Sequence, residues 1–181
     1  MKAAKKKSTI RYQISKYGIY IAFLVLVLIM SFVSPYFFKL KNLINILNQV
    51  SIIGIIAIGS TVVLLSGGLD LSPGAIVAIT GVLAAHFGHP GEYPLFVPIL
   101  VALGSGFVCG LVNGVVTAKG KVPPFIVTLG MMSIARGLAM LACGGMQVIN
   151  LSDSYTALGG SKVLGIPILI VIFAGVAFFF H

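Results

Sequence analysis

Few residues in this 181-residue chain can do chemistry, and those few stand among apolar neighbours. Asp70 sits inside Gly67-Gly68-Leu69-Asp70-Leu71-Ser72-Pro73-Gly74, between two apolar stretches. The glycines and the proline argue against a regular helix through it. Two readings are open. In one, a broken helix borders a polar pathway, as interrupted helices often do, and Asp70 is a structural lock or a ligand contact, with Gly67, Gly68 and Ser72 at the break. In the other, an inner loop precedes a helix that Asp70 or Ser72 caps, with Pro73 in its first turn. Arg136 lies well inside the apolar run 125–143. At the centre of a membrane helix an arginine costs at least ~2.5 kcal/mol. It should therefore face a bundle interior or a wet cavity, with Asp70 or opposite helix ends as partners, or else snorkel to the surface. Asn113 stands on a face beside Gly106, Gly110 and Gly114, two GxxxG steps in register that suit close helix packing.

Other reactive side chains form no pattern. His86, His89 and His181 lack ligand spacing, and the first two fall on a loop where solvation explains them. Cys109 and Cys143 lie in apolar stretches without metal-type spacing and read as small buried residues. No Ser/His/Asp or Cys/His grouping, metal site or cofactor motif is arguable, so no enzyme is expected. No GxxxxGK[ST] loop occurs, so ATP binding of the P-loop kind is not expected in this chain.

The elements that must hold these residues are membrane helices. Hydrophobic residues make up 59% of the chain and charged ones 8%, against roughly 25% charged in soluble domains. The mean hydropathy is +1.13. The formal net charge of +9 does not point to nucleic acid, because Lys2, Lys5, Lys6, Lys7, Arg11 and Lys16 all precede the first apolar stretch, as on a cytoplasmic flank. That stretch, 17–33, is longer than the ~7–15 residues of a signal core and lacks a small-x-small cleavage site, so it reads as a retained helix. Further apolar segments follow at 43–65, 75–87, 95–117, 125–143 and 166–180. The expected fold is an all-α polytopic bundle of about six spans, with a basic flank over 1–16 and a membrane domain over 17–181. The third and sixth segments are short, and the third suits a half-helix. With the N-terminus inside, the inner side holds the six basic residues of the flank plus Lys119 and Lys121. The outer side then holds only Lys39, Lys41 and Lys162. The loops 86–94 and 144–165 then face outward.

Three stretches together carry a family resemblance. They are Gly67-Gly68-Leu69-Asp70-Leu71-Ser72-Pro73-Gly74, Gly110-Leu111-Val112-Asn113-Gly114, and Val122-Pro123-Pro124-Phe125-Ile126-Val127-Thr128-Leu129-Gly130-Met131-Met132-Ser133-Ile134-Ala135-Arg136-Gly137. The chain resembles the permease subunits of ribose-type ATP-binding-cassette importers, within the group that includes branched-chain amino acid permeases. The resemblance implies a multi-pass protein of a prokaryotic cell membrane that pairs with a second permease copy. It also implies two cytoplasmic ATPase subunits and an extracytoplasmic sugar-binding protein as partners. The pathway candidates are then Gly67, Gly68, Asp70, Ser72, Asn113, Thr128 and Arg136, and the 144–165 loop is a docking surface. Family members run to about ten helices and continue past this point into a cytoplasmic coupling loop, so the chain reads as the N-terminal part of such a permease. The expected function is passage of a monosaccharide such as ribose. The alternatives are a gradient-driven secondary carrier and a non-transporting truncated remnant.

Overall fold

The computed structural model describes residues 2–163 and 165–180, with side chains from position 16 onward. Helices dominate, as expected: α1 (Lys2–Val33), α2 (Leu40–Leu65), α3 (Pro73–His86), α4 (Phe96–Ala118), α5 (Pro124–Cys143), α6 (Asp153–Gly160) and α7 (Ile168–Phe179). Two two-residue strands, β1 (Lys162–Val163) and β2 (Ile166–Pro167), pair antiparallel just before α7. The chain is a multi-pass membrane protein. Among the described residues, four helical stretches are long and apolar enough to cross a bilayer: Lys16–Val33, Leu40–Leu65, Phe96–Ala118 and Pro124–Cys143. α3 and α7 are shorter. At 1.5 Å per residue the 14 residues of α3 reach about 21 Å, less than the ~30 Å of a hydrocarbon core. The six apolar segments therefore divide into four of crossing length and two that fall short.

Two compact units divide the chain, Met1–Leu47 and Asn48–His181. In the first, helix α1 runs without interruption from the basic flank into the apolar stretch. The turn after it is closed locally, with Asn42 Nδ2 donating to the Phe37 carbonyl at 2.8 Å and Lys39 Nζ 4.2 Å from the Tyr36 ring centre.

In the second unit α3 is the central element, packed against both α4 and α5. Its contact with α5 is built from small side chains. Ala75 and Ile79 meet Ala135 and Ala139, with Val82, Leu83 and Met132 around them. Small residues let helix backbones approach where lipid supplies no hydrophobic drive. Gly54 of α2 leaves no room for a Cβ against the ring of Phe173 on α7.

Glycines stop two of the long helices. Gly67 has φ +81°, its N–H donates to the Leu64 carbonyl at 3.0 Å, and Gly68 N–H donates to Val63 at 3.0 Å. This paired closure satisfies the last carbonyls of α2. Gly144, at φ +60°, closes α5 the same way, with Gly144 N–H on Leu141 and Gly145 N–H on Met140. A side chain in the left-handed region costs about 1–2 kcal/mol, so Gly67→Ala should lower stability by that amount. Gly81→Ala, in an exposed helix interior with nothing within 4 Å of the added carbon, should raise it by about 0.5–1 kcal/mol. Thermal unfolding of the detergent-solubilised protein followed by circular dichroism reads both signs.

Candidate functional site

The break between α2 and α3 is where the polar residues gather. Residues 69–72 leave the helical path, so their backbone groups need partners from elsewhere. Thr128, on the second turn of α5, supplies them. Its Oγ1 accepts from Leu71 N–H at 3.3 Å and shares its proton between the carbonyls of Leu69 (3.2 Å) and Phe125 (3.3 Å). One hydroxyl thus stands in for a neighbouring strand. Pro124 at the first position of α5 and the preceding Pro123 fix where that helix starts, and so where Thr128 falls.

Asp70 turns back on its own segment. Its Oδ1 accepts from Ser72 N–H at 2.8 Å and from Ser72 Oγ at 2.6 Å. Ser72 is fully buried, and its oxygen accepts from Asn113 Nδ2 of α4 at 3.0 Å. The capping alternative is corrected in one respect. Ser72 occupies the N-cap position of α3, with Pro73 following, yet no side chain caps that helix. The Ser72 hydroxyl is spent on Asp70, and the α3 end is closed by the Ser72 carbonyl, which accepts from Ala75 and Ile76.

These residues wall a cavity of about 380 Å³, shared by the end of α2, the 67–70 segment, α4 and the start of α5. Asp70, Asn113 and Thr128 line it with Gly67 and Gly68, as do Gly110 and Gly114 of the glycine register. Close packing holds at Gly106 alone, where a Cβ would lie 3.6 Å from Thr80 Cγ2. At Gly110 and Gly114 it would meet nothing within 4 Å. Two of the three glycines therefore make space rather than a helix contact with the described residues. Thr117, also on this wall, was passed over in the sequence. It stands one turn after Asn113, and that i, i+4 spacing on a helix face was the available signal.

Arg136 does not join the cluster. α5 turns Thr128, Met131, Ala135 and Ala139 inward, and position 136 lies about 100° round from 135. Arg136 is exposed and forms no ion pair or hydrogen bond among the described residues. Asp70, one expected partner, bonds Ser72 instead. Cys109 and Cys143 are free and half-buried.

The two loop histidines are tied rather than merely solvated. His86 Nε2 donates to the Ala142 carbonyl at 2.8 Å, and His89 Nδ1 to the Asn150 carbonyl at 2.9 Å. Ser152 N–H adds a bond to Gly88 O at 2.7 Å, then its hydroxyl caps α6 by accepting from Tyr155 N–H at 3.2 Å. The ring of Tyr155 lies close over Gly88, and burial pushes its phenol above the usual tyrosine value.

Comparison with known proteins is consistent across most of the chain. Residues 42–180 match the family model described as branched-chain amino acid transport system / permease component. The chain is 39% identical over 171 residues to the ribose import permease protein of Haemophilus influenzae, covering 90% of this chain and 53% of that one. It is 42% identical over 151 residues to that of Escherichia coli K12 (81% and 47%). The galactofuranose transporter permease protein of the same strain is 35% identical over 160 residues (84% and 47%). The chain thus spans about half the length of these relatives. No solved structure matches.

The Thr128 bridge gives a direct expectation. Thr128→Val strips partners from Leu69 and Leu71 and should cost about 1–3 kcal/mol, whereas Thr128→Ser keeps the hydroxyl and most of the stability. Hydrogen exchange at the Leu71 amide should accelerate in the valine variant only.

Proposed function

Since the chain belongs to the family of branched-chain amino acid transport system permease components, we propose that it is the membrane-spanning part of an ATP-driven importer that passes a monosaccharide such as ribose. One observation supports this above the others. Inside an apolar helical unit, Asp70, Ser72, Asn113 and Thr128 converge on one helix break, and Asp70, Asn113 and Thr128 wall one cavity. Buried polar groups in a membrane protein are expensive and mark solute paths. Among the relatives, three are named for ribose, galactofuranose and fructose import or transport.

In this reading the chain performs no covalent step. It lines the path, while ATPase subunits on the inner side supply the energy and an extracytoplasmic binding protein delivers the sugar to the 144–165 segment. A second permease copy completes the pathway. The N-terminus faces the cytoplasm, which puts Lys119 and Lys121 inside and Lys162 outside. Gly106 serves helix packing, and Arg136 faces a wet or protein-lined surface of the full assembly.

Two measurements test this. In cells producing the chain with its partner subunits, labelled ribose uptake should require the ATPase and survive a protonophore. Uptake that persists without the ATPase and collapses with the protonophore would overturn the proposal in favour of a gradient-driven carrier. For orientation, in a background lacking Cys109 and Cys143, a membrane-impermeant maleimide added outside intact cells should label Lys162→Cys and spare Lys119→Cys. The opposite pattern would reverse the topology.

A further inference from the structure

The hydrogen-bond directions at the cavity wall specify the kind of solute it takes. Ser72 has one hydroxyl proton, and the Asp70 carboxylate, which only accepts, holds it at 2.6 Å. The Ser72 oxygen must then receive its bond from the amide nitrogen of Asn113. That fixes the rotation of the Asn113 amide and leaves Oδ1 as the free end. Asn113 is 8% exposed, and its Oδ1 is buried with no donor. An acceptor left so costs about 1–3 kcal/mol. Asp70 and Thr117 line the same cavity, and the second carboxylate oxygen of the one and the hydroxyl of the other are without bonds among the described residues.

We infer that this cavity is a transient seat for one neutral polyhydroxylated ring, a monosaccharide, held by its hydroxyl protons on Asn113 and Asp70. The inference rests on the permease reading and adds a place where the solute is held and the residues that hold it. Among the described residues no lysine, arginine or histidine lines the cavity. A carboxylate or phosphate would find no cation there, which counts against an amino acid zwitterion even though the family description includes amino acid transport. A bare cation fits poorly too. One carboxylate lines the space, no cluster of three metal-ligating side chains occurs among the described residues, and the volume is that of a small-molecule site. The C–H face of a sugar ring has its own counterpart in Val63, Pro124 and the glycine floor. Gly110 and Gly114 keep that floor open, since a Cβ at either would meet nothing within 4 Å.

A thiol placed in the wall tests the seat without ATP or partner subunits. In the full chain with Cys109→Ser, Cys143→Ser and Thr117→Cys, purified in lipid nanodiscs, the reaction rate with N-ethylmaleimide is measured. D-ribose at about twice its half-protecting concentration should slow labelling about threefold, as simple site occupancy requires. Equimolar L-leucine, sodium chloride and tetrahydrofurfuryl alcohol, which has the same ring skeleton and a single hydroxyl, should not. Asn113→Ala should raise the half-protecting ribose concentration about fivefold, the equivalent of one net hydrogen bond. Gly110→Leu, which puts a side chain into the cavity, should leave labelling the same with and without ribose, and if it blocks labelling altogether Asn113→Ala decides. Protection by leucine or sodium equal to that by ribose overturns the inference, as does protection that neither variant changes. Absence of ribose protection in a chain that supports ATP-dependent ribose uptake overturns the seat alone. Protection that persists where uptake proves gradient-driven upholds the seat and removes only the ATP-driven reading.

Discussion

The backbone at 69–72 leaves the helical path between apolar helices, and the hydrogen bonds its peptide groups lose there are replaced from within the protein. Each unsatisfied backbone group at membrane depth costs several kcal/mol. Thr128 serves Leu69 and Leu71, Asp70 serves Ser72, and the Ser72 carbonyl serves the first turn of α3. The polar cluster is therefore first a structural necessity.

The rest of the second unit follows from that break. α3 starts late and stays short, so it fits between α4 and α5 rather than spanning beside them. Its alanine-lined contact with α5 holds Thr128 at the right height, and the same contact turns position 136 away. On α4, Asn113 reaches Ser72 while the glycines on the neighbouring turns stay clear of it. Packing and cavity are thus two results of one helix face, with the side-chain volume withheld on the cavity side.

Much of this was legible in the sequence, and what was not has a common cause. Helix positions follow from runs of apolar residues with glycine and proline between them, and α2 to α5 lie within about three residues of where those runs place them. Asp70, Ser72, Asn113 and Thr128 stand out as polar residues in apolar company. Their joining does not, because Asn113 is 41 positions from Ser72 and Thr128 is 59 from Leu69. Proximity of that kind is set by tertiary packing. The same limit hid the ties of His86 and His89, whose partners are backbone carbonyls 56 and 61 positions away and carry no residue-type signature. It also misdirected the search for an Arg136 partner, since a 100° rotation on a helix cannot be judged from hydropathy alone. Thr117 is different. It was readable from Asn113 by helical spacing, and only its ordinary residue type concealed it.

The ties of His86, His89 and Gly88 to the chain after α5 give α3 a mechanical character. Its C-terminal end is pinned to the 142–152 segment by three bonds, and its N-terminal end, through Ser72, to Asp70 and α4. A rod pinned at both ends cannot absorb a push at one of them by fraying. Any displacement of the 142–152 segment would meet α3 at its C-terminal end, some 21 Å of helix away from the Ser72 hydroxyl. α3 is in that sense a pushrod, and its far tip bears on the oxygen where the buried bonds from Asp70 and Asn113 meet.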